Sequence, residues 1–463
     1  MQKFVSKYAT AAHLALLAVA PLFLFPFVAH ERLAAVLFWL SAIAALWIIM
    51  VPSRRRTEMP HGARLRVARS IVADPFFWFM LVAVAFVALR HFNSGIALAY
   101  DAEVQAWSLR GPVFEILPGS VDGAGVLPLA GVVSALVLAM GARHALGRSA
   151  RLCFFVAVSI LSGMAAAIAS FSLSYGHSGV AAIAECSYNN PTFLGCAFGV
   201  LLLGGVVALF ACVEMLWRQA ELLVGLGLIG TAIGFVTFSP PATIAVFSLA
   251  FLLQVIVSFA VAGRRLAGSG ALRCALGIMC AVAAAAGLLV AAPSSSALGL
   301  KKSAFMMLSI FPENFFAVRE VLSRIAFDVW KDNPWLGSGI GSFLLDIRTH
   351  ATVQDWSVIT PMHQAVPSGW WLLIAERGIM GALWFAVALG FLLWSYGARI
   401  VGGWGNLHWH PMNVLLPILL PALVAVTFVD NSFMRPDVVM LLVAFLAMSA
   451  SSFPSRRKAA PAE

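Results

Sequence analysis

The stretch LLVGLGLIGTAIGFVTFSPPATIAVFSLAFLLQVIVSFAVA, Leu222 to Ala262, contains no Asp, Glu, Lys or Arg. A helix needs about 20 apolar residues to cross the hydrocarbon of a bilayer. This stretch holds two such segments, 222–238 and 242–262, divided only by Ser239-Pro240-Pro241. Proline cannot continue a helix, so the pair reads as a helical hairpin turning at the prolines. The same reading gives ten more spans, at 11–29, 33–51, 76–92, 125–142, 152–174, 193–215, 272–292, 378–398, 412–429 and 438–453. The expected fold class is therefore all-α: a polytopic membrane bundle of about twelve helices, as one membrane domain over 1–463.

Composition agrees. Apolar residues make up 61% of the chain and charged residues 11%, with a mean hydropathy of +0.93. Soluble domains carry about 25% charged residues. The net charge of +10 is a topology signal and no sign of nucleic acid. With the N-terminus inside, the inner loops hold 19 of the 30 Lys and Arg but 5 of the 20 acidic residues. That bias obeys the positive-inside rule and places both termini on the cytoplasmic side. The basic, apolar start resembles a signal peptide but reads as an uncleaved first helix. Six cysteines lie scattered without a CxxC pair, which argues against a metal site and a disulfide framework. Cys186 and Cys196, near the outer face, leave a pairing open.

One long stretch is unfit for lipid. Residues 293–367, between spans nine and ten, form an outward-facing loop with Lys301, Lys302, Arg319, Arg324, Lys331 and Arg348. Within it Glu313 to Trp330 has helical spacing, with Phe316, Val321, Leu322, Ile325 and Val329 on one face. The run NPWLGSGIGSF, Asn333 to Phe343, then breaks the helix, and a second helix is expected near Pro367 with Ser368 as its cap. Trp370 and Trp371 suit an aromatic interface belt. Two other outer segments, Arg90 to Gly123 and Phe171 to Thr192, read as caps on the bundle, the first amphipathic around Tyr100 to Trp107.

The chemistry-bearing residues cluster on this outer side. Arg319, Arg324, Arg348, Arg377 and Arg435 bring guanidinium forks, which match phosphate oxygens bidentately and stay charged at every relevant pH. They could equally pair with Asp328, Asp332, Asp346 and Asp437. His363 carries a side chain suited to proton transfer near neutrality; His177 is its rival but lacks basic neighbours of this kind. Gly337, Gly339 and Gly341 follow no strand, so they are no dinucleotide fingerprint and read as a tight turn packing the loop on the bundle.

Order and spacing resemble the O-antigen ligase and polymerase superfamily of bacterial envelope glycosyltransferases. The resemblance covers Arg319 to Gly381: Arg319, Pro334, Leu336-Gly337-x-Gly339-x-Gly341-x-Phe343, a histidine, then Leu-Ile-Ala-Glu376-x-Gly378-x-x-Gly381. SYNNPTFLGCAFGVLLL, Ser187 to Leu203, is weakly similar to another family segment. The sequence departs from the pattern twice. Pro367 holds the usual histidine position and His363 precedes it by four residues; Ser239-Pro240-Pro241 stands where many members have Ser-Arg-Gly. The resemblance implies a divergent member in the bacterial inner membrane, with the long loop in the periplasm.

It further implies metal-independent, inverting transfer of a glycan from an undecaprenyl-diphosphate donor to a glycan or lipid acceptor hydroxyl, with no cofactor. Arg319 and Arg435 would hold the diphosphate, with Arg324 and Arg348 as further candidates. His363 would act on the acceptor hydroxyl, while Pro334, Gly337, Gly339, Gly341 and Glu376 would shape the loop. A chain-length regulator or flippase is the implied protein partner. Two alternatives stay open: a secondary transporter or flippase of envelope precursors, and a non-catalytic partner in polysaccharide assembly. No repeat of the kind that relates transporter halves is visible in the sequence.

Overall fold

The structure, a computed structural model, describes residues 2–24, 31–50, 68–101, 106–114, 119–121, 124–146, 148–174, 194–214, 216–239, 241–262, 268–291, 315–358, 368–402, 411–429 and 436–450. His177, Cys186, Lys301, Lys302, His363 and Arg435 lie outside the described residues. Helices cover each of the twelve apolar stretches: α1 Gln2–Leu24, α2 Glu31–Met50, α3 Pro75–Phe92, α4 Val126–Met140, α5 Arg148–Ser174 and α6 Leu194–Glu214 come first. α7 Arg218–Phe238, α8 Pro241–Ala262 and α9 Gly268–Ala291 follow. The polar stretch then contributes α10 Phe315–Asp332, α11 Phe343–His350 and α12 Val353–Val358, before α13 Gly369–Gly402, α14 Pro411–Val429 and α15 Pro436–Ala450. Among the described residues, seven helices are long and apolar enough to cross a membrane, and four shorter ones are also apolar.

α6 forms the middle of the bundle, since its whole apolar window is buried. Its glycines make that possible by admitting neighbours. A Cβ at Gly199 would stand 2.7 Å from the Phe247 ring, and one at Gly204 would stand 2.5 Å from Phe445. α5 and α7 approach closer still: a Cβ on Gly227 would stand 2.4 Å from the Ser159 carbonyl oxygen, and one on Gly163 would stand 2.5 Å from Gly227 Cα. Between them Ser162 and Thr231 share a hydroxyl hydrogen bond of 2.8 Å. Small residues at contacts, with a polar pair as glue, are how helices associate where lipid removes the ordinary hydrophobic drive. The outside is apolar in turn, as on α2, where Leu33, Val36, Leu40, Ile43 and Trp47 are all exposed.

Two features differ from the sequence expectation. The segment after Arg90 forms a small sheet, with β1 Ser94–Asp101 central between β2 Ala106–Arg110 and β3 Ser120–Val121. β1 and β2 pair antiparallel with Tyr100 opposite Trp107, so the amphipathic pattern there belongs to a strand pair. The bundle is therefore helical with a β cap. The second difference concerns the expected span 378–398. Its helix starts at Gly369 and is interrupted at Gly378, where φ is 65° and ψ is −168°.

The contrast between Gly227 and Gly225 tests the helix contact. Gly227→Ala should lower the unfolding midpoint in detergent, since overpacking costs about 1–3 kcal/mol. A Cβ on Gly225 would meet nothing within 4 Å, so Gly225→Ala should hold or raise it. Thermal unfolding followed by circular dichroism reads both.

Candidate functional site

The break at Gly378 sets up the site. In an unbroken helix the amides of Ile379 and Met380 would bond the carbonyls of Ala375 and Glu376. Here the run Pro334 to Gly339 lies across the break and takes over all four groups. Ser338 N donates to Ala375 O at 2.9 Å and Gly339 N to Glu376 O at 3.1 Å. In return Ile379 N donates to Pro334 O at 2.9 Å and Met380 N to Trp335 O at 3.2 Å. These four backbone groups at the break are thus paired, as buried backbone groups require.

Glycine is required on both sides of this crossing. Gly337 and Gly378 adopt φ of 70° and 65°, a left-handed backbone that side chains disfavour. Space is lacking as well. A Cβ on Gly337 would stand 2.3 Å from the Glu376 carbonyl carbon, and one on Gly378 would stand 2.4 Å from Trp335 O.

Arg90 locks the crossing from below. It sits in the last turn of α3, is 0% exposed, and donates from its two terminal nitrogens to the carbonyls of Leu336 and Glu376. Its guanidinium lies 4.6 Å from the centre of the Phe86 ring. The β cap closes the other side: Ile340 N donates to Gly119 O at 3.1 Å and Val121 N to Ile340 O at 3.0 Å. Glu376 then reaches forward, its Oε1 accepting from Gly341 N at 3.1 Å. Pro334, Gly337, Gly339, Gly341 and Glu376 therefore meet in one constellation.

The neighbouring Arg377 faces elsewhere. It lines a cavity of about 570 Å³ bounded by α3, α13, α14 and α15, with Leu336 at the same wall. Gly381 makes room for it, since a Cβ there would fall 2.5 Å from Arg377 Cβ. Among the described residues lining this cavity, Arg377 is the one charged side chain. Arg90 and Arg377 both lie within electrostatic reach of Glu376.

α10 to α12 fold above this constellation. Leu322, Ile325 and Val329 of α10 are buried against Phe343 and Ile347 of α11 and Ala375 of α13. Trp370 and Trp371 point apart: Trp371 packs edge-on against Phe327 of α10, while Trp370 meets Phe385 and Phe428. They join the loop to the bundle, which adds to the belt reading.

The loop arginines are distributed differently from the glycines. Arg324 forms an ion pair with Asp355, an acid absent from the expected partners. The Asp355 carboxyl is held below its ordinary value, first by the Thr352 hydroxyl and also by Arg324. Arg348 is exposed on α11, and Arg319 is half-buried on α10. Asp328 instead pairs with Lys331 at 3.0 Å, and Asp332 with His350 at 3.0 Å. Asp346 is buried, and that burial raises its carboxyl above the ordinary range despite the Ser338 and Ser342 hydroxyls.

Sequence reasoning missed Arg90 and His350, and counted Arg377 among the outer arginines without giving it a share in holding the diphosphate. An ionisable residue inside an apolar span is costly and rare, and that signal alone would have singled out Arg90. His350 has an acceptor at each ring nitrogen: Asp332 Oδ2 at 3.0 Å from Nε2 and Asp346 O at 3.0 Å from Nδ1. Only the imidazolium donates to both, at a helix C-terminus where positive charge is favoured.

This clasp joins the end of α10 to the end of α11, and its pH dependence has a defined sign. Burial pulls the His350 pKa down, but the Asp332 bond, the Asp346 carbonyl and the two carboxylates outweigh it, raising it above 6.5. A raised folded-state pKa stabilises below the unfolded value and loses that contribution as pH rises through the folded one. Loop amides in α10 and α11 should therefore exchange faster, relative to intrinsic rates, as pH rises from 6 to above neutrality. The change should be at most about 1 kcal/mol after solvent screening. His350→Gln should flatten the profile, measured by hydrogen exchange mass spectrometry.

No protein-family description matches this chain, and no curated protein matches it, so the chemistry of the site has to be argued from its own residues.

Proposed function

We propose that this protein is a membrane glycosyltransferase of the O-antigen ligase and polymerase type. It moves a glycan from undecaprenyl diphosphate to an acceptor hydroxyl at the periplasmic face of the bacterial inner membrane. The observation that carries this reading is an apolar cleft with Arg377 as the charged side chain in its described wall. Its walls are apolar over the stretch of α3 from Phe76 to Leu89, about 20 Å of helix. Its rim includes Val82, Leu89, Leu383 and Val387, all exposed on the side where lipid would lie. A polyprenyl tail suits such walls, since each Å² of apolar surface buried is worth about 25 cal/mol. A diphosphate suits the guanidinium in that wall.

In this reading twelve helices cross the membrane and both termini are cytoplasmic, as the charge bias requires. Arg377 binds the diphosphate together with Arg319 and Arg435, and stabilises the charge that develops on the leaving group. Arg348 is exposed and available for an approaching glycan. Arg324, already held by Asp355, organises α10 against α12 before it serves any phosphate. His363 orients or deprotonates the acceptor hydroxyl, displacing the glycan with inversion and without metal. Glu376 holds the Gly341 amide and keeps the glycine turn over the cleft. A chain-length regulator or flippase supplies and meters the donor.

The test is transfer by the purified chain in nanodiscs containing an undecaprenyl-diphosphate glycan. A charge-assisted contact to phosphate is worth about 1.5–3 kcal/mol, so Arg377→Ala should lower transfer roughly 10- to 100-fold, with Arg377→Lys retaining part. Filling the cleft with Ala388→Trp should weaken donor use while leaving the fold intact. Unchanged surface glycan length and attachment in Arg377→Ala, Arg319→Ala, Arg435→Ala and His363→Ala cells would overturn the proposal.

A further inference from the structure

The end of α3 that meets the loop carries an apolar feature that extends beyond the cleft, to Phe92. Along this helix Trp78, Val82, Leu89 and Phe92 are exposed by 51%, 55%, 42% and 79%. Their spacing places them on one face, and in a span that face meets lipid. The chain leaves the helix at Asn93 and comes back to it at Val113 and Phe114, which are 69% and 62% exposed.

That return is tightly held. Asn93 is 2% exposed, and its side-chain amide takes both backbone groups of Phe114. Asn93 Nδ2 donates to Phe114 O at 2.9 Å, and Phe114 N donates to Asn93 Oδ1 at 2.8 Å. Val113 N adds a bond to Ser94 O at 3.3 Å. Two large apolar side chains are thus presented on a fixed backbone with little protein around them.

Depth identifies what covers them. α3 has 18 residues, about 27 Å of helix, against about 30 Å of hydrocarbon. Phe92 at its end therefore lies where acyl chains meet head groups, and the tip bonded to the next residue lies at the same level. Aromatic side chains concentrate at that depth. The lipid-facing stripe runs into the tip without interruption, and Leu89 within the stripe also lines the cleft. We propose that Phe92, Val113 and Phe114 form an interfacial anchor that inserts into the lipid leaflet beside the cleft mouth. Its occupant is lipid acyl chain, and Asn93 sets its angle. The anchor would keep this mouth seated at the depth where a lipid-borne molecule presents its head group. It rests on membrane embedding alone and is independent of glycosyl transfer, so either can fail without the other.

Trifluoromethylphenylalanine placed at Phe114 in the full-length chain gives a unique fluorine signal. In phosphatidylcholine and phosphatidylglycerol nanodiscs, its relaxation is compared with a nitroxide on the upper acyl chain and with a soluble gadolinium chelate. Reference labels at Val82 and Lys331 mark lipid and water. The proposal expects severalfold stronger relaxation from the lipid nitroxide, as at Val82. A Lys331-like response, or shielding from both agents by a protein neighbour, would overturn it. In the Asn93→Ala background the label should shift toward the aqueous response; a label still in lipid would refute the assigned role of Asn93.

Discussion

The exchange of backbone hydrogen bonds at Gly378 is the constraint on which the loop side of this molecule depends. A helix that enters or leaves a membrane cannot drop its i to i−4 bonds without replacing them. Each unpaired group away from water costs about 1–3 kcal/mol, and four groups are in question. The crossing strand from Pro334 to Gly339 answers each of them with the complementary group. The loop is therefore part of the helix ladder. It cannot move off the bundle as a free lid without exposing four groups at once.

The glycines follow from that exchange. Backbone reaches backbone only where no Cβ intervenes, and at Gly337 and Gly378 the missing Cβ atoms would each stand within 2.4 Å of the other segment. The left-handed φ at both positions has the same origin, because the two chains must turn toward each other to pair. Arg90 completes the arrangement by occupying the carbonyl of Leu336, the one between the two pairs of crossing bonds. Charge buried at a span end is acceptable here because its terminal nitrogens meet oriented carbonyls and its face meets the Phe86 ring.

Much of this architecture was legible in the residues. Apolar length alone gave the helices, and the spacing of Gly337, Gly339, Gly341 and Glu376 marked the loop as a packed turn. What stayed hidden were the long-range partners. Arg90 meets residues 246 and 286 positions away, and no local pattern encodes that meeting. The β cap was hidden for another reason: in β1 Ala97 and Ala99 alternate with Ile96, Leu98 and Tyr100, so the apolar-polar contrast that marks a period of two is weak. The Arg324–Asp355 pair was hidden in the same way as the Arg90 partners, since Asp355 arrives on α12, 31 positions along the chain. His363 and Arg435 lie outside the described residues.

The break also explains how adjacent residues reach different surroundings. Glu376 and Arg377 immediately precede Gly378, where the helix has lost its forward hydrogen bonds. The Glu376 carboxylate turns toward the loop and takes the Gly341 amide. Arg377 runs past Gly381 and reaches the apolar cleft. Two oppositely charged consecutive residues thus meet different surroundings, a loop amide and an apolar cavity, while remaining within electrostatic reach of each other. Leu336, whose carbonyl Arg90 holds, lines the same cavity as Arg377, so the crossing that anchors the loop also forms part of the cavity wall.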